Sequence, residues 1–516
     1  MDDSVINEVE FDLDALRRRA EMEDGSFFPA SSYAQIVLAP AYDEAKENLL
    51  VYMHAVNKAH LVMLYEEGIL SSEDASAIKK ALVGLPLAQL RTGAYTGKYE
   101  DLFFEVEDLL IQAAGSAAGN LHIARSRNDM GVALYRLALR DRILGLIRTA
   151  VSFQTVLAVF AKAHVETFMI AHTHTQQAQP TTLGHYIAGA VFALGRDIRR
   201  LCSAFGCVNR SPMGAAAITT SGFPVNRERM RQLLGFDEII ENSYDCIAGG
   251  DYLGETATAV HLACINLSRL VCDLLLWSTQ EFGYLKVAAP YIQVSSIMPQ
   301  KQNPVSIEHA RSMLSSASGD CAGILTMLHN TPYGDIVDTE DDAQPALWRA
   351  IAKLEGIYRL MSSVIATVQV DEDKMEKRVS ESYAVITELA DTLVRKEKIS
   401  FRQAHGVAHE LVTRCLKDSV AFSSVDMNLI TDVFRTVIGR TMSARLETIM
   451  VSLDYKHFIN IRRVKGGPEK NELMQTLGGF AVTQINGNIQ WEKAKSERIK
   501  ESMEALERGF SSIPSP

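Results

Sequence analysis

The chain has 516 residues, of which 47% are hydrophobic and 22% charged, and its formal net charge is −11. This length exceeds one ordinary hydrophobic core and indicates several domains, while the acidic balance argues against nucleic acid as a bulk partner. Seven cysteines without a CxxC pair fit neither a zinc site nor a disulfide framework, so we expect reduced thiols in a cytoplasmic protein.

No signal peptide is expected, because the sequence begins Met-Asp-Asp and is acidic there. Charged residues interrupt the longest apolar runs before they reach the length of a membrane span, so no membrane partner is expected either. The interrupting residues are Arg148, Arg196 and Asp273.

The fold class is predicted to be all-α. Prolines are few, the stretches between them are rich in Ala, Leu, Glu and Arg, and no strand-like alternation is convincing. Three domains are expected: an N-terminal helical domain over 1–121, a central long-helix bundle over 122–370 and a C-terminal helical domain over 371–516. The first domain is predicted to contain helices over 11–23, 41–67, 71–83 and 100–114.

Five long helices are predicted in the central domain, near 127–167, 180–205, 254–283, 304–330 and 345–369. The third carries apolar residues on more than one face, so it needs packing partners all round it. The bundle is therefore expected to continue into other subunits. Shorter helices should follow, with Ser400 and Gln403 as a capping box.

One connector between two long helices has an unusual composition, with adjacent hydroxyls at Ser295 and Ser296, then Lys301 and Asn303. We expect Pro304 to begin the next helix, with Asn303 as its N-cap. A helix N-terminus and a lysine together favour an anion, so this loop is suited to holding a carboxylate beside a serine. The alternative is an ordinary Ser-rich connector.

The stretch around Ser126 opens the first long helix. Ser126 as N-cap and Asp129 at the third helical position predict a capping box. Arg127 and Asn128 project from the first turn, where a guanidinium and an amide can bind a second carboxylate. Alternatively, these two side chains only solvate a helix start.

Two histidines, His172 and His174, lie just before the predicted helix that Pro180 helps to start. They could bind a metal, but no third ligand has a suitable spacing, and we expect no metal site. A histidine among threonine hydroxyls suits acid–base chemistry better, although it could equally be a satisfied core histidine. Glu308, one turn into the 304–330 helix, could orient His174, or it could simply interact with the helix dipole.

Taken in order, these motifs resemble a known family. Ser-Ser-x-Met-Pro-x-Lys-x-Asn-Pro is similar to the signature loop of the fumarase/aspartase superfamily, and Ser-Arg-Asn-Asp followed by Thr-His-x-Gln resembles its argininosuccinate lyase branch. The likeness covers most of the chain. It includes Arg-Leu-x-x-Asp-Leu-x-Leu-Trp-Ser at 269–278, Leu-Ala-Asp-x-Leu-Val-Arg-Lys at 389–396 and Phe-Arg-Gln-Ala-His at 401–405.

The resemblance implies a cofactor-independent homotetramer whose active sites each draw on three subunits. It implies elimination of fumarate from an N-substituted L-aspartate, through an intermediate with a doubly charged carboxylate. Ser295 matches the catalytic base, His174 and Glu308 match the pair that supports acid–base steps, and Lys301 matches a ligand of the intermediate. The remaining matches are to substrate-binding residues: Ser126, Arg127, Asn128, Thr173, Gln176, Ser296, Met298 and Asn303.

Several positions depart from the family pattern. Val294 stands where a glycine is usual, Phe103 where a histidine is usual, and the Trp-Gly-Gly-Arg-Phe opening is absent. Asp335, Glu340 and Ala343 align with the Tyr, Gln and Lys that usually bind the arginine half of argininosuccinate. The fumarate half of the site is therefore expected to be kept and the amine half to be rebuilt.

Argininosuccinate is the default substrate under this resemblance. The first alternative is an aminopolycarboxylate such as ethylenediamine disuccinate, because the fumarate half would be the same. The second alternative is a catalytically inactive relative resembling a lens crystallin, and retention of Ser295, Lys301 and His174 argues against it.

Overall fold

The computed structural model describes residues 12–420 and 422–514, and it confirms the all-α class. Helices dominate every part of the described chain. They are α1 Leu13–Asp24, α2 Ser31–Tyr33, α3 Ala39–Asn48, α4 Leu50–Glu66, α5 Ser72–Gly84, α6 Leu87–Thr92, α7 Leu102–Ala114, α8 Ser116–Gly119, α9 Arg127–Ala163, α10 Leu183–Val208, α11 Arg227–Leu234, α12 Ser243–Ala248, α13 Asp251–Trp277, α14 Val305–Leu328, α15 Ala343–Thr367, α16 Glu372–Ser380, α17 Ile386–Glu397, α18 Phe401–Lys417, α19 Met427–Ile438, α20 Leu446–Val451, α21 Tyr455–Asn460, α22 Lys470–Gln475 and α23 Val482–Ser512.

Within residues 12–420 and 422–514, four small two-stranded sheets join the helices. Three pairs are antiparallel, β1 with β2, β5 with β8 and β6 with β7, whereas β3 and β4 are parallel. The strands are β1 Phe168–Thr173, β2 Gln176–Thr182, β3 Arg210–Ser211, β4 Glu238–Ile239, β5 Leu285–Lys286, β6 Gln293–Val294, β7 Gln302–Asn303 and β8 Gln369–Val370.

The five long helices α9, α10, α13, α14 and α15 alternate in direction. Arg136 near the start of α9 donates to Cys207 O near the end of α10, and its guanidinium lies over the Tyr252 ring at the start of α13. At the opposite end, Tyr186 donates to Asp273. Gln344 at the start of α15 donates to the Tyr252 hydroxyl, and Leu328 at the end of α14 lies beside Gly254. The starts of α9, α13 and α15 therefore lie at one end of the bundle with the ends of α10 and α14.

Within the described residues, buried apolar side chains form three large clusters. One lies inside the five-helix bundle, one among the N-terminal helices and the start of α9, and one among helices α17 to α21. The last helix, α23, returns to the N-terminal cluster with Leu506 and Phe510. The boundaries at residues 121 and 370 remain predictions.

The predicted helix starts were correct where a capping box marks them, and wrong where tertiary contacts determine where the helix begins. The 41–67 segment is two helices that meet at Leu49, and Pro180 lies in β2 rather than at a helix start. Asn303 is not the N-cap of α14, because it pairs with Gln293 in the β6–β7 ladder and Pro304 takes the cap position. The predicted first helix begins at Phe11, which lies outside the described residues.

By length and composition alone, α9 and α13 are long and apolar enough to span a membrane. This differs from the expectation that charged residues interrupt every apolar run of that length. About half of each apolar window is buried inside the protein, as in the core helices of a bundle. Arginines in α9 face polar partners, as Arg140 does at Asn209 Oδ1 and Leu234 O.

Candidate active site

The first turn of α9 has the predicted capping box. Ser126 Oγ accepts a hydrogen bond from the Asn128 amide at 3.3 Å, and the Ser126 amide donates to Asp129 Oδ1 at 2.9 Å. Asp129 is buried, whereas Ser126 is half-buried and its hydroxyl also donates to Asn128 Oδ1, and Arg127 is exposed on the turn. The sequence thus places a guanidinium and a carboxamide at a helix N-terminus that favours anions.

Acidic side chains of the same chain contact these two groups. Arg127 Nη1 lies 2.9 Å from Asp101 Oδ2 and 3.2 Å from Glu100 Oε1, and its guanidinium is 4.7 Å from the centre of the Phe104 ring. Asn128 Nδ2 donates to Asp335 Oδ2. A substrate carboxylate must therefore compete with these acids for Arg127 and Asn128.

The segment that contains Asp335 continues the acidic surroundings towards α15. Burial and a hydrogen bond with Asp335 raise the pKa of Glu340 to about 8, so this carboxyl is protonated at neutral pH. The Tyr135 hydroxyl donates to Asp341 Oδ1 at 3.1 Å. A cavity of about 310 Å³ lies beside these residues, with Trp348 and apolar side chains of α3 in its wall.

The predicted catalytic loop lies at the other end of the bundle, between β6 and β7. Ser295 Oγ accepts from the amides of Ile297 and Met298 at 3.3 and 3.1 Å, and the Lys301 amide donates to Met298 O at 3.0 Å. The short β6–β7 ladder closes the base of the loop. Ile297 is 83% exposed, so the apolar part of the loop faces solvent in the single chain.

His174 lies at the tip of the β1–β2 hairpin. Its φ is +50° and that of Thr175 is +63°, which is the left-handed conformation of a tight turn. Thr173, His174 and Gln176 are all exposed. Among the described residues, no hydrogen bond links His174 to Ser295 or to Glu308, so the expected His174–Glu308 pair is not formed within one chain.

The candidate residues fall into groups that one chain holds far apart. The Ser295 loop precedes α14, and Asp335, the partner of Asn128, follows it. A helix of 24 residues is about 36 Å long at 1.5 Å per residue. A four-carbon dicarboxylate cannot span that distance, so Ser295 and Asn128 of one chain cannot contact the same succinyl group.

Sequence reasoning missed two contacts in this region. The aligned acidic segment was noted, but nothing local indicated that Asp335 would bind Asn128, 207 residues earlier. His122 was also missed, and its ring lies 5.6 Å from that of Phe103. Burial, followed by the charges of Arg125 and Arg127, lowers the pKa of His122, so this ring is neutral. Within residues 12–420 and 422–514, no cluster of His, Cys, Asp and Glu is suited to a metal ion.

Comparisons with known proteins agree with the motifs. Residues 95–319 match the family model described as lyase, and residues 383–460 match the one described as argininosuccinate lyase C-terminal. Argininosuccinate lyase 2 of Agrobacterium fabrum is 37% identical over 492 residues, which are 94% of this chain and 97% of that protein. The argininosuccinate lyase of Methanothermobacter thermautotrophicus is 36% identical over 412 residues, covering 80% and 88%.

Solved structures share the architecture. The crystal structure of EDDS lyase in complex with formate has a TM-score of 0.84 at 28% identity, covering 96% of this chain and 98% of that one. A class II fumarase from Schistosoma mansoni has a TM-score of 0.64 at 16% identity, covering 79% and 90%, and shares the fold.

The long-helix bundle and the three motifs in order define a carbon–nitrogen lyase of the fumarase/aspartase superfamily. Within that superfamily, the chain belongs to the argininosuccinate lyase family.

Proposed function

We propose that the protein eliminates fumarate from an N-substituted L-aspartate and releases the amine. The observation that carries the proposal is the Ser295 loop, in which a serine, Lys301 and Asn303 lead into the N-terminus of α14. The argininosuccinate lyases at 36–37% identity support the same reaction class.

In this reaction Ser295 removes a proton from the carbon next to a carboxylate, which leaves a doubly charged intermediate. Lys301 and Asn303 supply a cation and an amide donor to that carboxylate, and such preplaced groups give electrostatic stabilisation. His174, oriented by Glu308, delivers a proton to the departing nitrogen. Arg127, Asn128 and Thr173 bind the second carboxylate of the succinyl group.

A homotetramer is part of the proposal, because one chain cannot bring these residues together. Helix α14 buries one face and leaves most of its other residues exposed or half-buried. The buried residues are Ile307, Ala310, Leu314, Ala317, Cys321 and Ile324. Met313 and Leu325 are each 38% exposed on the open side. The exposed face of α14 is suited to packing against a second copy of the bundle. Antiparallel packing of this kind would bring the Ser295 loop of one subunit close to the end of the bundle that carries Asn128 in another subunit.

The amine half of the substrate is proposed to lie against the acidic segment. By resemblance, Asp335 and Glu340 stand where the family usually has residues that bind arginine, and Glu340, Asp341 and Asp342 line the cavity of about 310 Å³. Such surroundings favour a cationic N-substituent and repel a second dicarboxylate. We therefore expect strict recognition of the succinyl group and altered recognition of the amine.

Fumarate release from a panel of N-substituted aspartates, followed by ultraviolet absorbance, tests the reaction and its specificity. We expect non-arginine cationic substituents to rival argininosuccinate. A kcat/KM for argininosuccinate about a hundredfold above every other member, roughly 2.7 kcal/mol, would identify an ordinary argininosuccinate lyase. No fumarate from any member would refute the lyase proposal and favour the inactive, crystallin-like alternative.

The second candidate is an aminopolycarboxylate lyase. The similarity to EDDS lyase supports this candidate, because the EDDS lyase structure matches nearly the whole of this chain. Ethylenediamine disuccinate carries a second pair of carboxylates, and these would face Asp335 and Asp341. Preferential cleavage of this substrate in the same panel would contradict the proposed role of the acidic segment.

A further inference from the structure

Asp129 makes more contacts than a capping box requires. Its Oδ2 accepts hydrogen bonds from the amides of Gly214 and Ala216, both at 3.0 Å, while Oδ1 serves the Ser126 amide. The side chain is 0% exposed. One buried carboxylate therefore joins the first turn of α9 to a segment that lies 85 residues later in the chain.

The 213–216 segment is shaped around that carboxylate. Gly214 has φ +89° and Ala216 φ +52°, so their amides turn towards one point and form an anion-binding concavity. On its other side, Arg227 donates to Met213 O at 3.0 Å and to Ile240 O at 2.8 Å. The segment is thus fixed between Asp129 and Arg227.

Any Cβ on Gly214 would lie 2.6 Å from Arg227 Cγ, so the space beside this turn is filled. A carboxylate without water is costly unless its hydrogen bonds are complete. Here three amides complete them. Loss of any one amide would leave the charge under-satisfied, so the arrangement favours the relative position of the two elements in which all three amides reach the carboxylate.

We propose that Asp129 is a positioning residue of the active site, which fixes the first turn of α9 against the 213–216 segment so that Ser126 and Asn128 meet the substrate in one geometry. The inference rests on the proposed function, in which Asn128 binds the succinyl group, and on the match of Ser126 to a substrate-binding residue of the family. A displacement of about 1 Å at such a turn can lower the rate by about a hundredfold.

The charge state of Asp129 follows from its burial, which raises the pKa of the carboxyl to about 6 in spite of the three amides and Arg125. A protonated Asp129 would place an O–H against amide N–H groups and weaken the junction. The charged groups that face it are Arg125, before the turn, and Arg227, behind Gly214. We therefore expect kcat/KM to fall as the pH drops through about 6.

The test compares Asp129→Asn with Asp197→Asn. Asp197 is 1% exposed, its pKa is also raised to about 6 by burial, and it accepts from Asn266 and Arg200 at 2.8 and 2.7 Å within the bundle. Asp129→Asn should lower kcat/KM about a hundredfold, chiefly through KM, and should remove the decrease in kcat/KM that the wild type shows below about pH 6. Asp197→Asn should stay within about threefold of the wild-type kcat/KM and keep that acid limb of the pH profile. Equal losses in the two variants, or an unchanged limb in Asp129→Asn, would overturn the proposal.

Hydrogen exchange provides a readout that needs no substrate. Peptides covering 126–130 and 212–220 should exchange faster in Asp129→Asn than in wild type, and Asp197→Asn should leave them unchanged. If Asp129→Asn does not fold, the wild-type protein at pH 5.5 and 7.5 gives the same comparison, after correction for intrinsic exchange. Unaltered exchange in these peptides would refute the positioning role, whereas a wild-type protein that cleaves no N-substituted aspartate would refute only the proposed function.

Discussion

The separation of Ser295 from Asn128 predicts how two inactive variants behave when they are mixed. In one chain Ser295 precedes α14, which is about 36 Å long, and Asn128 contacts Asp335 beyond the other end of that helix. Each active site of the proposed tetramer must then take its Ser295 and its Asn128 from different chains. If Ser295→Ala and Asn128→Ala chains are unfolded together in equal amounts and refolded, about half of the chains supply each intact residue. About one quarter of the sites therefore receive both.

Fumarate release after refolding measures the recovered fraction, once the activity of each variant refolded alone is subtracted. The matched control mixes Ser295→Ala with Lys301→Ala. These two residues share one loop, so every loop in that mixture carries a lesion and no complete site can form. The composite site is refuted if the first mixture recovers nothing, or if the control mixture recovers as much as the first.

Ser295→Ala alone should leave folding and assembly intact and reduce kcat to below a few per cent of wild type, since a loop hydroxyl adds little to a core; higher residual turnover would remove it from the role of base. Light scattering should give about four times the 57.0 kDa chain mass, and a monomeric mass would contradict the assembly. Ionisation of Glu340 above about pH 8 should lower the KM for cationic substrates, and Glu340→Gln should weaken that decrease. KM measured against pH tests this, and a profile unchanged by the substitution would place Glu340 outside the amine site. Burial raises the pKa of Asp197 from 3.8 to about 6, so the folded chain binds this proton more tightly than the unfolded chain does. Protonation of Asp197 therefore adds to the free energy of unfolding below about pH 4, and this contribution is lost as the pH rises through 6. Asp197→Asn should flatten denaturant-measured stability across that window by up to about 3 kcal/mol, and an unchanged slope would contradict this account.

Short-range signals were sufficient for much of the fold. Ser126 with Asp129 located the start of α9, and Ser400 with Gln403 located that of α18, because a capping box involves only four consecutive residues. Asn303 fitted an N-cap equally well by the same logic. It failed because the β6–β7 ladder uses its backbone, and a cross-strand partner ten residues away leaves no local signal.

The sequence was sufficient to predict which residues belong to the candidate site, but not their relative positions in the folded chain. The motifs named Ser295, His174 and Asn128, yet their separation depends on the direction in which each long helix runs, which no motif encodes. The β1–β2 hairpin was missed because its sequence does not alternate apolar and polar residues. The Asp129 junction was missed for another reason: its partners are backbone amides, and any residue type supplies an amide.

The distance along α14 also has a consequence in genetic terms. When active sites combine Ser295 and Asn128 from different chains, two lesions act alike whether one chain carries both or two chains carry one each. In equal mixtures, either arrangement leaves about one quarter of the sites intact. A site built within one chain would retain half its activity in the cis arrangement and none in trans. For this protein, the usual distinction between cis and trans alleles is expected to vanish for lesions at opposite ends of the helix and to return for lesions within one loop.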